Sequence, residues 1–215
     1  MTELPYGMPQ SAARVIKAHL EGGLTPHWGC FAPGRVNLIG EHTDYNGGMV
    51  LPCALERGLS LIATPLDKPL IRVRALDLDG RTDEFAADIC PAPIPPGAFT
   101  FPATEVPPAV RAFRAFGNYL RGVAATLFQQ GITRLPGLAV SIGGDLSEGA
   151  GLSSSAALTV GFTSLLNAAG DLHLSPLEVA RVAQSAEAFA GVPCGLMDQA
   201  VCALAKPGPC WAVNW

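Results

Sequence analysis

The sequence predicts an α+β fold in which a mixed sheet packs against helices. Short segments rich in Val, Ile and Leu fill the first half of the chain, whereas helical patterns dominate the second half. One later strand-like segment, residues 138–142, leads into a glycine- and serine-rich turn that opens a helix. Because strands come first and then mix with helices, the order favours α+β over strict βαβ alternation.

The first half of the chain combines one short helix with several strands. Residues 14–20 suit a helix that ends at the glycine pair 22–23. The segments 49–55, 59–64 and 70–76 are apolar and are separated by turn residues. This pattern predicts strands that are partly antiparallel.

The second half is predicted to be mainly helical. Apolar residues recur at spacings of three and four over residues 110–127, which predicts one apolar helical face ended by Gly131. Residues 155–169 also have a helical pattern. The tetrapeptide 175–178 is a capping box with proline at the first helical position, so a helix is predicted to run to about residue 190.

The composition is typical of a globular protein and argues against two classes of function. Of the 215 residues, 49% are hydrophobic and 15% are charged, so the chain can bury a sizeable core. The net charge is −4 and the basic residues are scattered, which argues against a nucleic-acid partner. No apolar run approaches the roughly 20 residues of a membrane span, so no membrane association is expected.

The start of the chain and its cysteines favour a cytoplasmic protein. No basic region followed by an apolar core precedes the first helix, so no secretory signal is predicted. The six cysteines lie far apart and form no C-x-x-C pair, which disfavours zinc ligation and a disulfide framework. Reduced cysteines are therefore expected.

The turn at residues 149–157 has the chemistry of an anion cradle. Its small residues let the backbone approach an anion, and the first N–H groups of the following helix point toward it. Its serines supply hydroxyls for phosphate oxygens or a magnesium ion. An ordinary serine-capped helix start explains the same residues equally well. No Walker A lysine follows, so a nucleotide here would be held by a different type of loop.

A second polar cluster lies earlier in the chain. A cation, two carboxylates and an imidazole occur within ten residues, at Arg35, Glu41, His42 and Asp44. Sugars are bound by such paired donors and acceptors, because each buried hydroxyl needs a partner. The two carboxylates could instead hold a metal ion, or the whole cluster could be a solvated turn. A third segment places Asp198 just after a Gly/Pro turn, and composition alone assigns that acid no role.

Together these segments resemble the galactokinases of the GHMP kinase superfamily. The sequence FAPGRVNLIGEHTDYNGG at 31–48 is similar, nearly letter for letter, to the family's sugar-binding signature. Residues 149–158 are similar to its phosphate loop, and residues 194–199 resemble the segment of its catalytic aspartate. Residues 118–123 give a fourth, weaker match. The resemblance implies that residues 1–215 form a GHMP kinase N-terminal domain.

The resemblance also implies roles for individual residues. Asp198 would accept the proton of the C1 hydroxyl of galactose, and Arg35 would hold that aspartate and steady the transferred phosphoryl group. Galactose would contact Glu41, His42, Thr43, Asp44 and Gly195. The phosphates of ATP would lie against Gly149, Ala150, Gly151, Leu152, Ser153, Ser154 and Ser155. The magnesium ion would be bound by Ser155 and Glu187.

Two departures from the family pattern bear on these roles. A gapless alignment places Ala186, not Glu187, where the family has its magnesium-binding glutamate, and one residue is about 100° of helical rotation. The chain also ends at Trp215, without the family's C-terminal domain. The apolar surface left by that domain would be covered by self-association or by a partner.

Three alternatives to a galactokinase remain at the level of sequence. The first is a related sugar-1-kinase that acts on N-acetylgalactosamine or L-arabinose. The second is a sensor that binds galactose and ATP without turnover; the intact serine loop favours a kinase ancestry instead. The third is an inactive truncated kinase.

Overall fold

The computed structural model describes residues 9–40, 43–93, 108–146 and 151–205. The helices are α1 (Gln10–Glu21), α2 (Pro108–Gln129), α3 (Ser154–Gly170), α4 (Pro176–Phe189) and α5 (Met197–Leu204). The strands are β1 (Trp28–Asn37), β2 (Pro52–Pro65), β3 (Leu70–Ala75), β4 (Arg81–Ala86) and β5 (Leu138–Gly144). A short 3₁₀ helix spans Asp44–Asn46.

The described strands form one five-stranded sheet in the order β1-β2-β5-β3-β4. Strands β3 and β5 pair in parallel, and the other neighbours pair antiparallel. The sheet is therefore mixed, and the predicted α+β class is confirmed.

Strand β5 shows how the sheet separates two packing layers. Leu138, Val140 and Ile142 point into the main core, which is shared with α2, α3 and α4. Side chains alternate between the two faces of a strand, so Ala139 and Ser141 face the opposite layer, where α1 packs. The residues of the candidate site lie at the edge of the first layer, where β1, α3 and α5 meet.

The strands differ from the sequence prediction in three places: two predicted segments lie in one strand, and neither β1 nor β4 was predicted. Residues 52–55 of the first predicted segment and all of the segment 59–64 belong to the single 14-residue strand β2. Gly58 does not end this strand: a Cβ there would lie 2.2 Å from the Ala32 carbonyl oxygen, so glycine allows β1 to pair closely. Strand β4 was not predicted, because its sequence RTDEFA is largely polar and contributes only Phe85 to the core.

The predicted helices are present, and the capping box at the start of α4 is confirmed. The Glu178 backbone N–H donates to Ser175 Oγ, and the Ser175 N–H donates to a Glu178 carboxylate oxygen at 2.8 Å. The Ser175 hydroxyl also donates to the Glu178 carboxylate at 2.6 Å, and this hydrogen bond, followed by the one from the Ser175 backbone N–H, lowers the pKa of the exposed Glu178 side chain.

The cysteines only partly follow the expectation from sequence. Cys30, Cys90, Cys194 and Cys202 are free thiols. Cys53 is disulfide-bonded, contrary to the expected reduced state. Spacing along the chain does not report which thiols the fold brings together. Within the described residues, no helix is both long and apolar enough to cross a membrane.

Helix α1 is attached to the sheet through a buried histidine with a defined tautomer. His19 is fully buried, with Nδ1 at 2.9 Å from Ser141 Oγ and Nε2 at 2.8 Å from Thr64 Oγ1. Thr64 Oγ1 donates its own proton to the Thr25 carbonyl oxygen, so it accepts from the histidine Nε2–H. The Nδ1 atom then accepts from Ser141, and the neutral imidazole satisfies every partner.

This arrangement predicts that stability falls in mild acid. Burial lowers the pKa of His19 below its ordinary value of 6.5, so the unfolded chain binds a proton at a higher pH than the folded chain. The contribution of His19 to the free energy of unfolding should be fully present above pH 6.5. It should decline as the pH falls through the pKa of His19 in the folded state. Urea unfolding across this pH range measures the effect. His19→Gln should flatten the dependence, with His27→Gln, at an exposed position, as the matched control. An unchanged slope in His19→Gln would contradict the prediction.

Candidate active site

The centre of the candidate site is a two-point ion pair between Arg35 and Asp198. Arg35 Nε donates to Asp198 Oδ1 and Arg35 Nη2 donates to Asp198 Oδ2, both at 2.6 Å. Arg35 lies on β1 and Asp198 in the first turn of α5, 163 residues apart in sequence. Both side chains are mostly buried, with 14% and 24% of their surface exposed. A two-point ion pair of this kind sets the plane of the carboxylate as well as its position.

The described end of the predicted phosphate loop is attached to this pair. The Arg35 backbone N–H donates to the Leu152 carbonyl oxygen at 3.2 Å, and Arg35 Nη1 donates to the Gly151 carbonyl oxygen at 2.7 Å. The Ser153 hydroxyl donates to Asp198 Oδ2. Ser153 is also a non-glycine residue in the left-handed region, with φ of 55° immediately before α3. The loop and the two candidate catalytic residues therefore form one hydrogen-bonded unit.

Gly34 makes the approach of this loop to β1 feasible. The pairing of β1 with β2 changes register between Pro33 and Arg35. A Cβ at Gly34 would lie 2.9 Å from the Leu152 carbonyl oxygen, so a larger residue would push the loop away from Arg35. The Cys202 thiol of α5 donates to the carbonyl oxygen of the adjacent residue, Pro33, at 3.0 Å.

The sugar-binding segment meets the α5 segment through Asp44. The Met197 backbone N–H donates to Asp44 Oδ2 at 3.4 Å. A Cβ built on Gly195 would lie 1.6 Å from that same oxygen. Only glycine at position 195 leaves room for the carboxylate, so the predicted galactose-binding residues Asp44 and Gly195 depend on each other.

Thr43 has a structural contact that its sequence position did not reveal. Its hydroxyl lies within hydrogen-bond distance of the Gly40 carbonyl oxygen, at 2.7 Å, and of the Met49 carbonyl oxygen, at 3.0 Å. In this structure Thr43 therefore closes the loop that presents Asp44, and its contact with galactose stays a prediction.

The two predicted magnesium ligands lie side by side. The Ser155 hydroxyl donates to Glu187 Oε2 at 3.2 Å. The neighbouring Ala186 is fully buried and packs against the backbone of α2, where a Cβ at Gly122 would lie 2.9 Å from Ala186 Cα. The side chain that faces the phosphate loop is thus Glu187, despite its offset of one residue from the family pattern.

Ser155 and Glu187 also fit the coordination chemistry of magnesium. Both offer hard oxygen atoms, and Mg²⁺ is commonly bound by one or two protein oxygens together with substrate phosphates and waters. Among the described residues, no group of three or more His, Cys, Asp or Glu side chains could hold a metal alone. A sparse pair of oxygens suits an ion that arrives with a nucleotide better than a permanently bound one.

Burial changes the acid–base properties of the groups around Glu187. Burial raises the pKa of Glu187, while hydrogen bonds from Gln199 and Ser155 oppose that shift. Burial, followed by the charge of Glu187, raises the pKa of the Cys194 thiol to about 11. Burial, followed by the charge of Glu187, also raises the pKa of Tyr119, and the Ser155 hydroxyl opposes that shift.

A cavity of about 540 Å³ opens beside the start of α3 and was not predicted from the sequence. Its apolar walls include Leu78, Phe116 and Leu158, and its polar groups include Asp77 and Tyr119. The predicted phosphate-binding residues Ser154 and Ser155 line one side of it. Tyr119 lies in the weak motif at 118–123, which the sequence analysis did not connect with a cavity.

Some predicted site residues lie outside the part of the chain that the structure describes. They are Glu41, His42, Gly149 and Ala150.

Two known protein families match parts of this chain. Residues 21–65 match the galactokinase galactose-binding signature, and residues 118–206 match the GHMP kinases N terminal domain. The first region contains Arg35 and Asp44, and the second contains Ser153, Glu187 and Asp198.

Solved structures give the same result at the level of the fold. A galactokinase from Lactococcus lactis, complexed with galactose, is 26% identical to this chain with a TM-score of 0.77. The match covers 94% of this chain and 48% of the Lactococcus lactis chain. Methanococcus jannaschii mevalonate kinase is 18% identical with a TM-score of 0.63, covering 82% of this chain and 51% of its own. Streptococcus pneumoniae phosphomevalonate kinase, in complex with phosphomevalonate and AMPPNP, is 13% identical with a TM-score of 0.58, covering 82% and 47%.

This chain spans about half the length of the kinases that it matches. The two family matches lie on the segments that meet at Arg35 and Asp198. The chain therefore carries the galactokinase galactose-binding signature and the GHMP kinase N-terminal domain, and it resembles the N-terminal portion of a galactokinase.

Proposed function

We propose that this chain supplies the galactose site, the phosphate loop and the catalytic base of a galactokinase. The reaction would transfer the γ-phosphoryl group of ATP to the C1 hydroxyl of D-galactose. The observation that carries the proposal is the contact of three motifs at one carboxylate. Asp198 is held by Arg35 of the sugar-binding segment and by Ser153 of the phosphate loop.

In this mechanism Asp198 accepts the proton of the C1 hydroxyl while that oxygen attacks the γ-phosphorus. The bond from O1 to phosphorus forms, the bond from phosphorus to the bridging oxygen breaks, and ADP leaves. Phosphoryl transfer has a loose transition state, so most of the catalysis comes from positioning and from stabilising charge. Arg35 does both, because its guanidinium orients Asp198 and places positive charge beside the loop that would hold the phosphates.

The nucleotide would lie along the start of α3. The N-terminus of α3 offers free N–H groups and a positive partial charge to the phosphates. The adjacent apolar cavity, with Tyr119 at its polar side, is large enough for a nucleoside. Ser155 and Glu187 would hold Mg²⁺, which supplies charge neutralisation at the phosphates.

The sugar site would be completed by residues around Asp44. We assign Glu41, His42 and Thr43 to the same pocket from the family signature that covers residues 21–65. It stays a prediction that residues 1–215 form one domain, and so does the cytoplasmic location.

Four large apolar side chains are mostly exposed, and they are Leu38, Ile39, Tyr45 and Met49. We propose that a second copy of the chain or a partner chain covers them.

The test is ADP release by the purified 215-residue chain with Mg·ATP, with and without galactose and with glucose as the control sugar. Galactose-dependent release is the expected result, because the base, the cation and the loop all lie in this chain. Competition by N-acetylgalactosamine and L-arabinose would distinguish galactose from the substrates of related sugar-1-kinases.

Other outcomes of this experiment point to the alternative functions. Binding of galactose and ATP without turnover, measured by calorimetry, would favour the sensor. A folded sample that binds neither ligand would overturn the proposed function and favour an inactive kinase.

A further inference from the structure

A second residue of the α5 segment, Gln199, makes a contact that the proposed reaction does not yet use. Gln199 is fully buried, and its Nε2 donates to Glu187 Oε1 at 2.7 Å. The same amide group lies 3.3 Å from Cys194 Sγ, a weak acceptor. Glu187 is itself only 4% exposed. The contact is therefore a buried hydrogen bond to a carboxylate, which is stronger than one between neutral groups.

Packing alone does not account for an amide at this position. Gln199 Oε1 is buried and has no hydrogen-bond partner within the described structure. An unpaired buried acceptor costs free energy, and an apolar side chain of the same length would avoid that cost. The useful end of this side chain is consequently its N–H group, which is directed at Glu187. The reverse orientation of the amide would bring two acceptor oxygens together.

Gln199 and Ser155 hold the Glu187 carboxylate from two sides. Gln199 donates to Oε1 from α5, and Ser155 donates to Oε2 from α3. Donors from two different helices determine both the position and the plane of the carboxylate. Asp198 and Gln199 are adjacent in the first turn of α5, so one turn would hold the catalytic base and orient the metal-binding acid.

We infer that Gln199 is a positioning residue that holds Glu187 against the phosphate loop and thereby raises the metal affinity of the nucleotide site. This inference rests on the proposed Mg·ATP site, and it explains how Glu187 occupies that site despite its offset of one residue. Partners that orient metal ligands typically change metal affinity by about 10- to 100-fold when they are removed.

The experiment measures binding of the ATP analogue AMP-PNP to the 215-residue chain, once with Mn²⁺ and once with EDTA. The dissociation constant with EDTA divided by the dissociation constant with Mn²⁺ gives the contribution of the metal to binding. Bound Mn²⁺ is counted independently by electron paramagnetic resonance. Gln199→Met should lower this ratio about tenfold or more, while metal-free binding is retained. Gln184→Met is the matched control, because Gln184 donates to the Cys194 carbonyl oxygen at 3.0 Å and makes no hydrogen bond to Glu187 within the described part of the chain.

A double-mutant cycle separates positioning from a general structural effect. If Gln199 acts through Glu187, Gln199→Met should have no further effect on the ratio in a Glu187→Gln background. Gln199→Leu repeats the test should Gln199→Met fold poorly. A wild-type chain that binds nucleotide without metal dependence would overturn the proposed metal site together with this inference. Metal dependence that survives Gln199→Met or Gln199→Leu would overturn this inference alone.

Discussion

Asp198→Asn is expected to abolish galactose-dependent turnover while largely sparing galactose binding. General-base assistance is typically worth about 10² to 10⁴ in rate, and asparagine cannot accept the proton. The new amide would also turn an N–H group toward Arg35, whose Nε and Nη2 now donate to both carboxylate oxygens. The expected loss is therefore in kcat, measured by ADP release, and titration with galactose measures the retained binding.

The chain offers a matched Arg–Asp pair as a control. Asp83 accepts from Arg121 in a similarly buried two-point contact between β4 and α2. Asp83→Asn should lower the melting temperature and leave kcat close to that of the unmodified chain. Near-normal turnover by Asp198→Asn would show that another group is the base.

Gly195→Ala is expected to remove galactose binding and to destabilise the fold. Its Cβ would lie 1.6 Å from Asp44 Oδ2, so Asp44 or the start of α5 must move. Overpacking of this kind costs roughly 1–3 kcal/mol, and the displaced groups are the ones proposed to contact the sugar. Thermal unfolding and galactose titration measure the two effects.

Two further variants test whether the effect comes from this steric contact. A Cβ on Gly191, at φ of 87°, would meet nothing within 4 Å. Gly191→Ala should therefore cost only the roughly 1 kcal/mol of a strained backbone and leave galactose binding intact. Removing the carboxylate with Asp44→Ala should restore stability to Gly195→Ala without restoring binding. Normal galactose affinity in Gly195→Ala would contradict the proposed pocket.

Both predictions concern residues that were named from sequence motifs. The expected size of each mutational effect, however, comes from the structure. The motif at 31–48 identified Arg35 and Asp44, and the motif at 194–199 identified Gly195 and Asp198. Neither motif states that Arg35 meets Asp198 or that Asp44 fills the space left by glycine. Those pairs are 163 and about 150 residues apart, so their contact depends on how β1 packs against α5.

The sequence by itself determined the elements with strong local signals. The apolar spacing in α2, the capping box of α4 and the α+β order all follow from interactions within a few residues, which the sequence displays directly. The same holds for the family, whose motifs are continuous segments. The local signal was misleading at Gly58, where a glycine that resembles a turn lies inside β2 because β1 approaches it closely.

Only the tertiary structure decided which side chains share a site. It placed Glu187 rather than Ala186 beside Ser155, because the packing of α4 against α2 directs Ala186 into the core. It also brought Gln199 to Glu187 and formed the cavity beside Tyr119, for which the sequence carries little or no signal. The physical reason is common to all three. A helix presents a different residue about every 100° of rotation, and the face that meets the site depends on contacts with distant elements.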